Sequence, residues 1–205
     1  MTVAFERLAG YCAVLTGIGG LLYSVAFVIV ARPAPELGAN LSWLILVVGG
    51  LLTVPVLVAL HGRVRDVSQG AALTALLLAV YGTLGSVVHA GYEIANLVHL
   101  GKIPASDLPS QVDPRGLLTF GLTGLGLLIF ASLIGRSPRF PMGLSRLGIL
   151  AGVLLIVVYL ARLVIYSPTN PLVVAGAGLT GFIVAPAFYV WLGLVFLNQS
   201  FTRGA

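Results

Sequence analysis

Long apolar segments separated by short polar connections dominate the chain. Five of them have about 20 residues, enough to cross about 30 Å of hydrocarbon as an α-helix. They cover about 8–30, 41–60, 117–134, 147–165 and 172–197. A sixth covers about 71–100 and contains the polar interruption "HAGYEIANLVH". The pattern predicts an all-α polytopic membrane protein, a bundle of six transmembrane helices that forms a single domain over residues 1–205.

Charged side chains are rare in this chain. They make up 8% of its 205 residues, and 59% are hydrophobic, whereas an ordinary soluble domain carries roughly 25% charged residues. The predicted spans use nearly the whole chain, so no soluble domain remains. The first apolar run is longer than the roughly 7–15 residues of a signal-peptide core, and we expect it to be retained as a span.

The formal net charge of +5 does not indicate a nucleic-acid partner, because in a membrane protein the placement of Lys and Arg matters more than their sum. The side of the membrane that holds both termini carries most of them: Arg7, Arg63, Arg65, Arg136, Arg139, Arg146 and Arg203. The other side carries Arg32, Lys102 and Arg115. Cytoplasmic loops are enriched in these residues, so the pattern predicts that the N- and C-termini both lie in the cytoplasm.

The polar interruption in the third span forms one face of a helix. At 100° per residue, an arc of about 120° holds His89, Tyr92, Glu93, Asn96 and His99. An ionisable group that faces lipid near the bilayer centre costs at least about 3 kcal/mol. We therefore expect this face to point into the bundle, which makes helix 3 a central element.

Arg162 is the other deep charge, and it lies in the fifth span. Counted at about 1.5 Å per residue from the cytoplasmic side, Arg162, His89 and Glu93 all fall in the outer half of the membrane. These depths predict an outward-opening polar pocket between helices 3 and 5. We assign His89 and Glu93 to it as candidate acid–base groups. The candidate ligand-binding residues are Tyr92, Asn96, Arg162, Tyr159, Tyr166 and Tyr23.

A purely structural interpretation of these charges stays open. A buried Glu93–Arg162 pair, supported by tyrosine hydroxyls, can simply fix how two helices align. A pocket accounts better for the additional polar side chains of His89, Tyr92 and Asn96 on the same face, since one ion pair needs only two charged residues.

The sequence predicts no cofactor or metal. His89 and Glu93 have the spacing of two helical metal ligands, but a third ligand is missing unless Asp107 or Asp113 folds inward. His61 lies at the opposite end of the bundle from His89, which argues against a haem held within one chain. The only lysine, Lys102, is beside a loop, so no span offers an amine for a retinal Schiff base.

Prolines and small residues indicate how the helices pack. Pro55 and Pro186 each leave a backbone carbonyl without its usual donor, at Leu51 and Phe182, and we expect kinks there. The 26 glycines recur at helix-contact spacing and allow backbones to approach closely. A tightly packed monomer uses most of them, and a homo-oligomer or a larger membrane complex can use the rest.

The segments "GRSPRFPMGLSRLGILAGVLL" and "PAFYVWLGLVFL" resemble small bacterial multi-span membrane proteins of unknown function. In those proteins a basic, proline-containing turn precedes an apolar span, and a Trp-Leu pair, here Trp191 and Leu192, lies in the last helix. The resemblance covers about the C-terminal third. It implies a bacterial cytoplasmic membrane and carries no activity.

Three functions remain open from the sequence. The chain can bind a small or lipid-like ligand in the polar pocket, with or without proton transfer. It can be a membrane-embedded enzyme for a lipophilic substrate, with Glu93 or His89 as acid or base. It can also be an accessory subunit that packs against a larger membrane complex. The pattern does not decide whether any catalysis occurs, and membrane lipid is the partner common to all three.

Overall fold

The computed structural model describes residues 2–100, 114–164 and 170–204, and within them all side chains except those of 100, 114–119, 162–164, 172–173 and 199–204. Its α-helices are α1 Val3–Ser24, α2 Pro35–Val64, α3 Gln69–Leu100, α4 Pro114–Arg136, α5 Met142–Val164, α6 Pro171–Gly178 and α7 Ala185–Gly204. A π-helical segment, Val25–Val30, continues α1, and a second one, Leu179–Val184, joins α6 to α7. The described residues contain no β-strand.

Five continuous helical segments are long and apolar enough to cross a membrane. They are Val3–Val30, Pro35–Val64, Gln69–His99, Met142–Ala161 and Val174–Asn198. The described apolar part of α4, Phe120–Arg136, is shorter. The prediction of an all-α polytopic bundle is therefore confirmed. The sixth span, expected at 117–134, stays a prediction.

Several helices begin at residues that favour a helix start. Pro35, Pro114 and Pro171 are the first residues of α2, α4 and α6. Proline is well suited to this position because its fixed φ matches the helix and its missing N–H would have no partner there. In α1 the N-cap is Thr2, whose hydroxyl accepts a hydrogen bond from the backbone N–H of Phe5 at 3.4 Å. Sequence signals thus set these four boundaries.

The helices form a ring in chain order. Each of α1 to α5 packs against its neighbours in sequence, and the contact of α1 with α7 closes the ring. Glycines make the closest contacts possible: Gly10 meets Gly193 between α1 and α7, and Gly124 meets Gly152 between α4 and α5. We call the end with both chain termini the terminal end and the opposite end the far end.

The two π-helical segments lie in the far half of the ring, and the second one packs against α1. In each, a backbone N–H donates to the carbonyl five residues earlier, from Ala31 to Ala26 and from Ala185 to Thr180. Pro186, the second residue after the second segment, has no N–H to continue a regular ladder, and a wider turn accommodates this. A methyl group added at Gly181 would collide with the hydroxyl of Ser24. The expected distortion at Pro186 is therefore a π-helical segment, whereas α2 remains α-helical through Pro55.

The interior differs between the two ends. Every described apolar side chain that is buried and larger than valine lies in the terminal half or near mid-height: Leu57, Leu60, Leu127, Phe130, Leu133, Ile134, Phe140, Leu144, Phe188, Leu192 and Phe196. In the far half the buried apolar side chains are Ala26, Ala90, Val158 and Val184, and the buried polar ones include Ser24, Ser42, Glu93 and Thr180. The fully buried side chains of the described far half are thus small or polar.

One buried hydrogen bond joins α4 and α5. The Ser145 hydroxyl donates to the carbonyl of Ala131 at 2.7 Å. We expect Ser145→Ala to lower the free energy of unfolding by about 0.5–1 kcal/mol, because interhelical bonds of this kind contribute modestly in membranes. Thermal unfolding in detergent measures the effect. Thr74→Ala is the matched control, since Thr74 bonds only within its own helix on an exposed face; equal melting temperatures for both variants would contradict the expectation.

Candidate functional site

The polar stretch of α3 lies in the far half of the bundle, and Glu93 is its most buried polar side chain. Only 5% of the Glu93 side chain is exposed, against 23% for His89. The two residues are one helical turn apart on one face. His89 Nδ1 lies 4.0 Å from Glu93 Oε1. A carboxylic acid beside an imidazole in an apolar surrounding can bind a polar group or pass a proton.

The buried part of this face is narrower than the predicted arc. Asn96 is half-buried and continues the face toward the far end. Tyr92 is 44% exposed and His99 is exposed, so both lie at its outer edge. The residues turned inward are therefore His89, Glu93 and Asn96.

Two predicted tyrosines lie on other helices of the far half. Tyr23 of α1 is half-buried and stacks on Phe27, with ring centroids 5.8 Å apart and an interplanar angle of 5°. Tyr159 of α5 is half-buried and covers Gly121 of α4, where an added methyl group would lie 3.2 Å from its ring. Tyr159 therefore fills part of the contact between α4 and α5.

The predicted contact between Glu93 and Arg162 falls outside the described side chains. The backbone of Arg162 belongs to α5, but its side chain is not among those described, and Tyr166 lies outside the described residues. Their roles in the site stay predictions.

Contacts with α4 relate the height of Arg162 to that of α3. Gly126 of α4 lies against Ala75 and Ala79 of α3, and Gly121 lies against Tyr159 of α5. Counted from these contacts at about 1.5 Å per residue, the backbone of Arg162 is about 6 Å from the level of His89 and about 12 Å from that of Glu93. An arginine at this position is closer in height to His89 than to Glu93.

Helix α4 separates the two helices to which the sequence assigned the pocket. Within the described residues, α3 packs against α2 and α4, and α5 packs against α4 and the last helix. The far half of α4 presents buried glycines at Gly121 and Gly124, and α5 packs closely on both, through Tyr159 on Gly121 and through Gly152 and Ile156 on Gly124. A pocket shared by α3 and α5 has to pass this part of α4.

The described residues contain no group of three His, Cys, Asp or Glu side chains that could hold a metal ion. His89 and Glu93 are two of the ligands that such a site would need. The two loop carboxylates considered as a third ligand, Asp107 and Asp113, lie outside the described residues.

A second polar cluster, at the terminal end, was not predicted from the sequence. The carboxylate of Glu6 in α1 accepts two hydrogen bonds from Arg63 in α2, from Nε at 3.0 Å and from Nη2 at 2.6 Å. The side chains are only 4% and 2% exposed. The guanidinium carbon lies 5.9 Å from the ring centre of Phe196 in α7. This bidentate, buried pair fixes three helices against one another.

Arg139 extends the terminal cluster into the turn between α4 and α5. It donates to the carbonyl of Arg63 at 3.1 Å and to the carboxylate of Asp66 at 2.8 Å. The Arg139–Asp66 pair is largely exposed, at 39% and 59%, so it contributes little to stability. Together with the large apolar core above it, the cluster closes the terminal end.

No family model, curated protein or solved structure matches this chain. The helices themselves identify it as an integral, multi-pass membrane protein: five described segments can span a bilayer, and many of their leucine, isoleucine and valine side chains are exposed on the outer surface of the bundle. In water such a surface would be strongly unfavourable, whereas acyl chains solvate it.

Proposed function

We propose that the protein crosses a bacterial cytoplasmic membrane six times, with α4 as the sixth span and both termini in the cytoplasm. The support for this orientation is the position of the arginines. At the terminal end, Arg65, Arg136 and Arg146 are exposed, where they can meet anionic headgroups. The terminal end is then cytoplasmic and the far end faces outward.

We further propose that the outer half binds a small or lipid-like ligand at the polar face of α3. One observation carries this proposal: Glu93 is buried beside His89 in the half of the bundle where no described apolar side chain larger than valine is fully buried. A carboxyl group removed from water costs free energy unless polar groups meet it. Intramembrane ionisable residues are retained mainly where they serve a ligand or proton pathway.

The chemistry assigns a role to each described side chain. Glu93 accepts a hydrogen bond from the polar part of the ligand, and His89 exchanges a proton with it or with Glu93. Asn96, one turn outward of Glu93, can both donate and accept. In the described part of the chain, large buried apolar side chains and the Glu6–Arg63 pair fill the terminal half, so the proposed access is from the outer half. This favours binding over transport by alternating access, which needs an opening on each side of the membrane.

Replacement of Glu93 by Gln tests the ligand site. We expect wild-type protein, incubated with a bacterial polar lipid extract and examined by native mass spectrometry, to retain a bound molecule that Glu93→Gln retains at least tenfold less. Glutamine keeps the shape of the side chain. Its amide carries no charge and donates hydrogen bonds, whereas a carboxylate only accepts them. Asp66→Asn is the matched control, because its carboxylate is exposed at the opposite end. Equal retention by wild type and Glu93→Gln would contradict the proposal.

A further inference from the structure

The far halves of α1 and of the last helix separate above the contact between Ser24 and Gly181. Below this level the two helices touch through Gly10, Gly17 and Gly193. Above it, the π-helical segment Val25–Val30 packs on α2, and α6 packs on α5. In the described part of the chain these two segments do not form an interface with each other. Among the described residues, helix contacts therefore do not close the ring at this position.

The side chains around the opening suit an acyl chain. On the α1 side Phe27 is 58% exposed, and on the α6 side Val174 and Leu179 are also exposed. Gly178 has no atom within 4 Å of where a methyl group would be. These apolar walls face the hydrocarbon region, where a polar passage would be costly.

The floor of the opening is polar. It is formed by Ser24 and Thr180, which are both buried. The Ser24 hydroxyl donates to the carbonyl of Gly20 at 3.0 Å, and the Thr180 hydroxyl donates to the carbonyl of Gly176 at 2.7 Å. Passage from apolar walls to a polar floor matches a molecule with an apolar tail and a polar head. π-helical segments are frequent at functional sites, because they widen a helix locally.

The floor lies at the height of the polar face of α3. Thr16 meets Thr53, and Gly50 lies against Thr83 and Val87. We count residues along α1, α2 and α3 from these contacts. The count places Ser24 at a height on α3 that is within about one turn of both His89 and Glu93. A molecule that enters between α1 and α6 thus arrives at the height of the proposed site.

We propose that the gap between Val25–Val30 and α6 is a lateral entrance through which an amphiphilic lipid reaches Glu93 from the outer leaflet. This inference rests on the proposed ligand site and names its substrate class and route. The head group interacts with His89 and Glu93, while the tail remains between Phe27 and α6.

A reversible bridge across the entrance tests the route. Cys12 is replaced by Ala, and Phe27→Cys is combined with Gly178→Cys, where an added side chain has room. A bifunctional methanethiosulfonate reagent joins the two thiols and dithiothreitol releases them. The probe is a phosphatidylcholine with a diazirine at the upper end of its acyl chain, next to the head group, present in phosphatidylcholine vesicles. Fragment-ion mass spectrometry measures the adduct on Glu93 relative to that on Val88, which is 67% exposed and is labelled directly from lipid.

We expect the bridge to lower the Glu93 to Val88 ratio at least fivefold and reduction to restore it. The single variants Phe27→Cys and Gly178→Cys cannot form the bridge, so each, treated identically, should keep the ratio that it shows before the reagent is added. An unchanged ratio in the bridged protein would overturn the lateral entrance but leave the ligand site in place. A result in which Val88 carries the adduct and Glu93 carries none, even in the unbridged protein, would contradict both the lipid-like ligand and the lateral entrance.

Discussion

Removing one partner of the Glu6–Arg63 pair is expected to lower the free energy of unfolding by about 3–5 kcal/mol, the largest effect we anticipate for a single substitution. In Arg63→Met the carboxylate of Glu6 loses both of its hydrogen bonds from Arg63, at 2.6 and 3.0 Å. Because Glu6 is 3% exposed, water cannot replace them without opening the contact between α1 and α2. Chemical denaturation in mixed micelles measures the loss.

Two comparisons make this expectation specific to burial and pairing. The double variant Glu6→Leu/Arg63→Met should recover much of the loss, since apolar residues of similar size can replace a buried ion pair. Asp66→Asn breaks the Arg139–Asp66 ion pair at the same end, whose two side chains are 39% and 59% exposed. Its effect on the free energy of unfolding should stay within about 1 kcal/mol. The expectation fails if Arg63→Met costs no more than Asp66→Asn, or if the double variant loses the sum of the two single losses.

The helical architecture follows from the sequence because hydrocarbon leaves the backbone few alternatives. Apolar runs of about 20 residues have to satisfy their own N–H and C=O groups, and a helix does so within the segment. Proline and threonine at helix starts then define boundaries such as those at Thr2 and Pro35. The order of the helices around the ring is less evident, since apolar faces pack on one another with little discrimination. For this reason the position of α4 between α3 and α5 was not predicted.

The two polar clusters differ in how visible they are in the sequence. His89 and Glu93 interrupt an apolar run on one helical face, and this local pattern placed them in the interior. Glu6 and Arg63 are 57 positions apart and lie at helix ends, where charged residues usually meet water and headgroups. No local pattern distinguishes such a pair from two interfacial charges. A possible signal is that Glu6 is the single acidic residue in the first turn of α1, facing a helix end rich in arginine.

The unequal core and the lateral gap depend on contacts between distant segments. The sequence of one helix does not show which of its residues lie at the same height as residues of another helix. The concentration of large buried side chains in the terminal half could therefore not be predicted. The distortion beside Pro186 was predictable from its missing N–H. Its form, a π-helical segment that meets Ser24, depends on the neighbouring helix.

Gly193→Ala should separate α1 from α7 and lower the free energy of unfolding by about 1–3 kcal/mol. An added methyl group would lie 2.7 Å from the carbonyl oxygen of Gly10 and 2.9 Å from the backbone nitrogen of Val14. Both are backbone atoms of a helix, which cannot rotate away as a side chain can. In lipid, helix association depends on this close packing, because no exclusion of water drives it.

Gly20→Ala is the matched control, since nothing lies within 4 Å of its added methyl group. Alanine is the better helix former by up to about 1 kcal/mol, so this variant should be unchanged or more stable. Thermal unfolding of both variants in the same detergent gives the comparison. The same Gly→Ala exchange then changes stability in opposite directions, and the difference isolates the contact between α1 and α7. Equal shifts for the two variants would show that the contact at Gly193 tolerates a side chain and that packing there is looser than 2.7 Å implies.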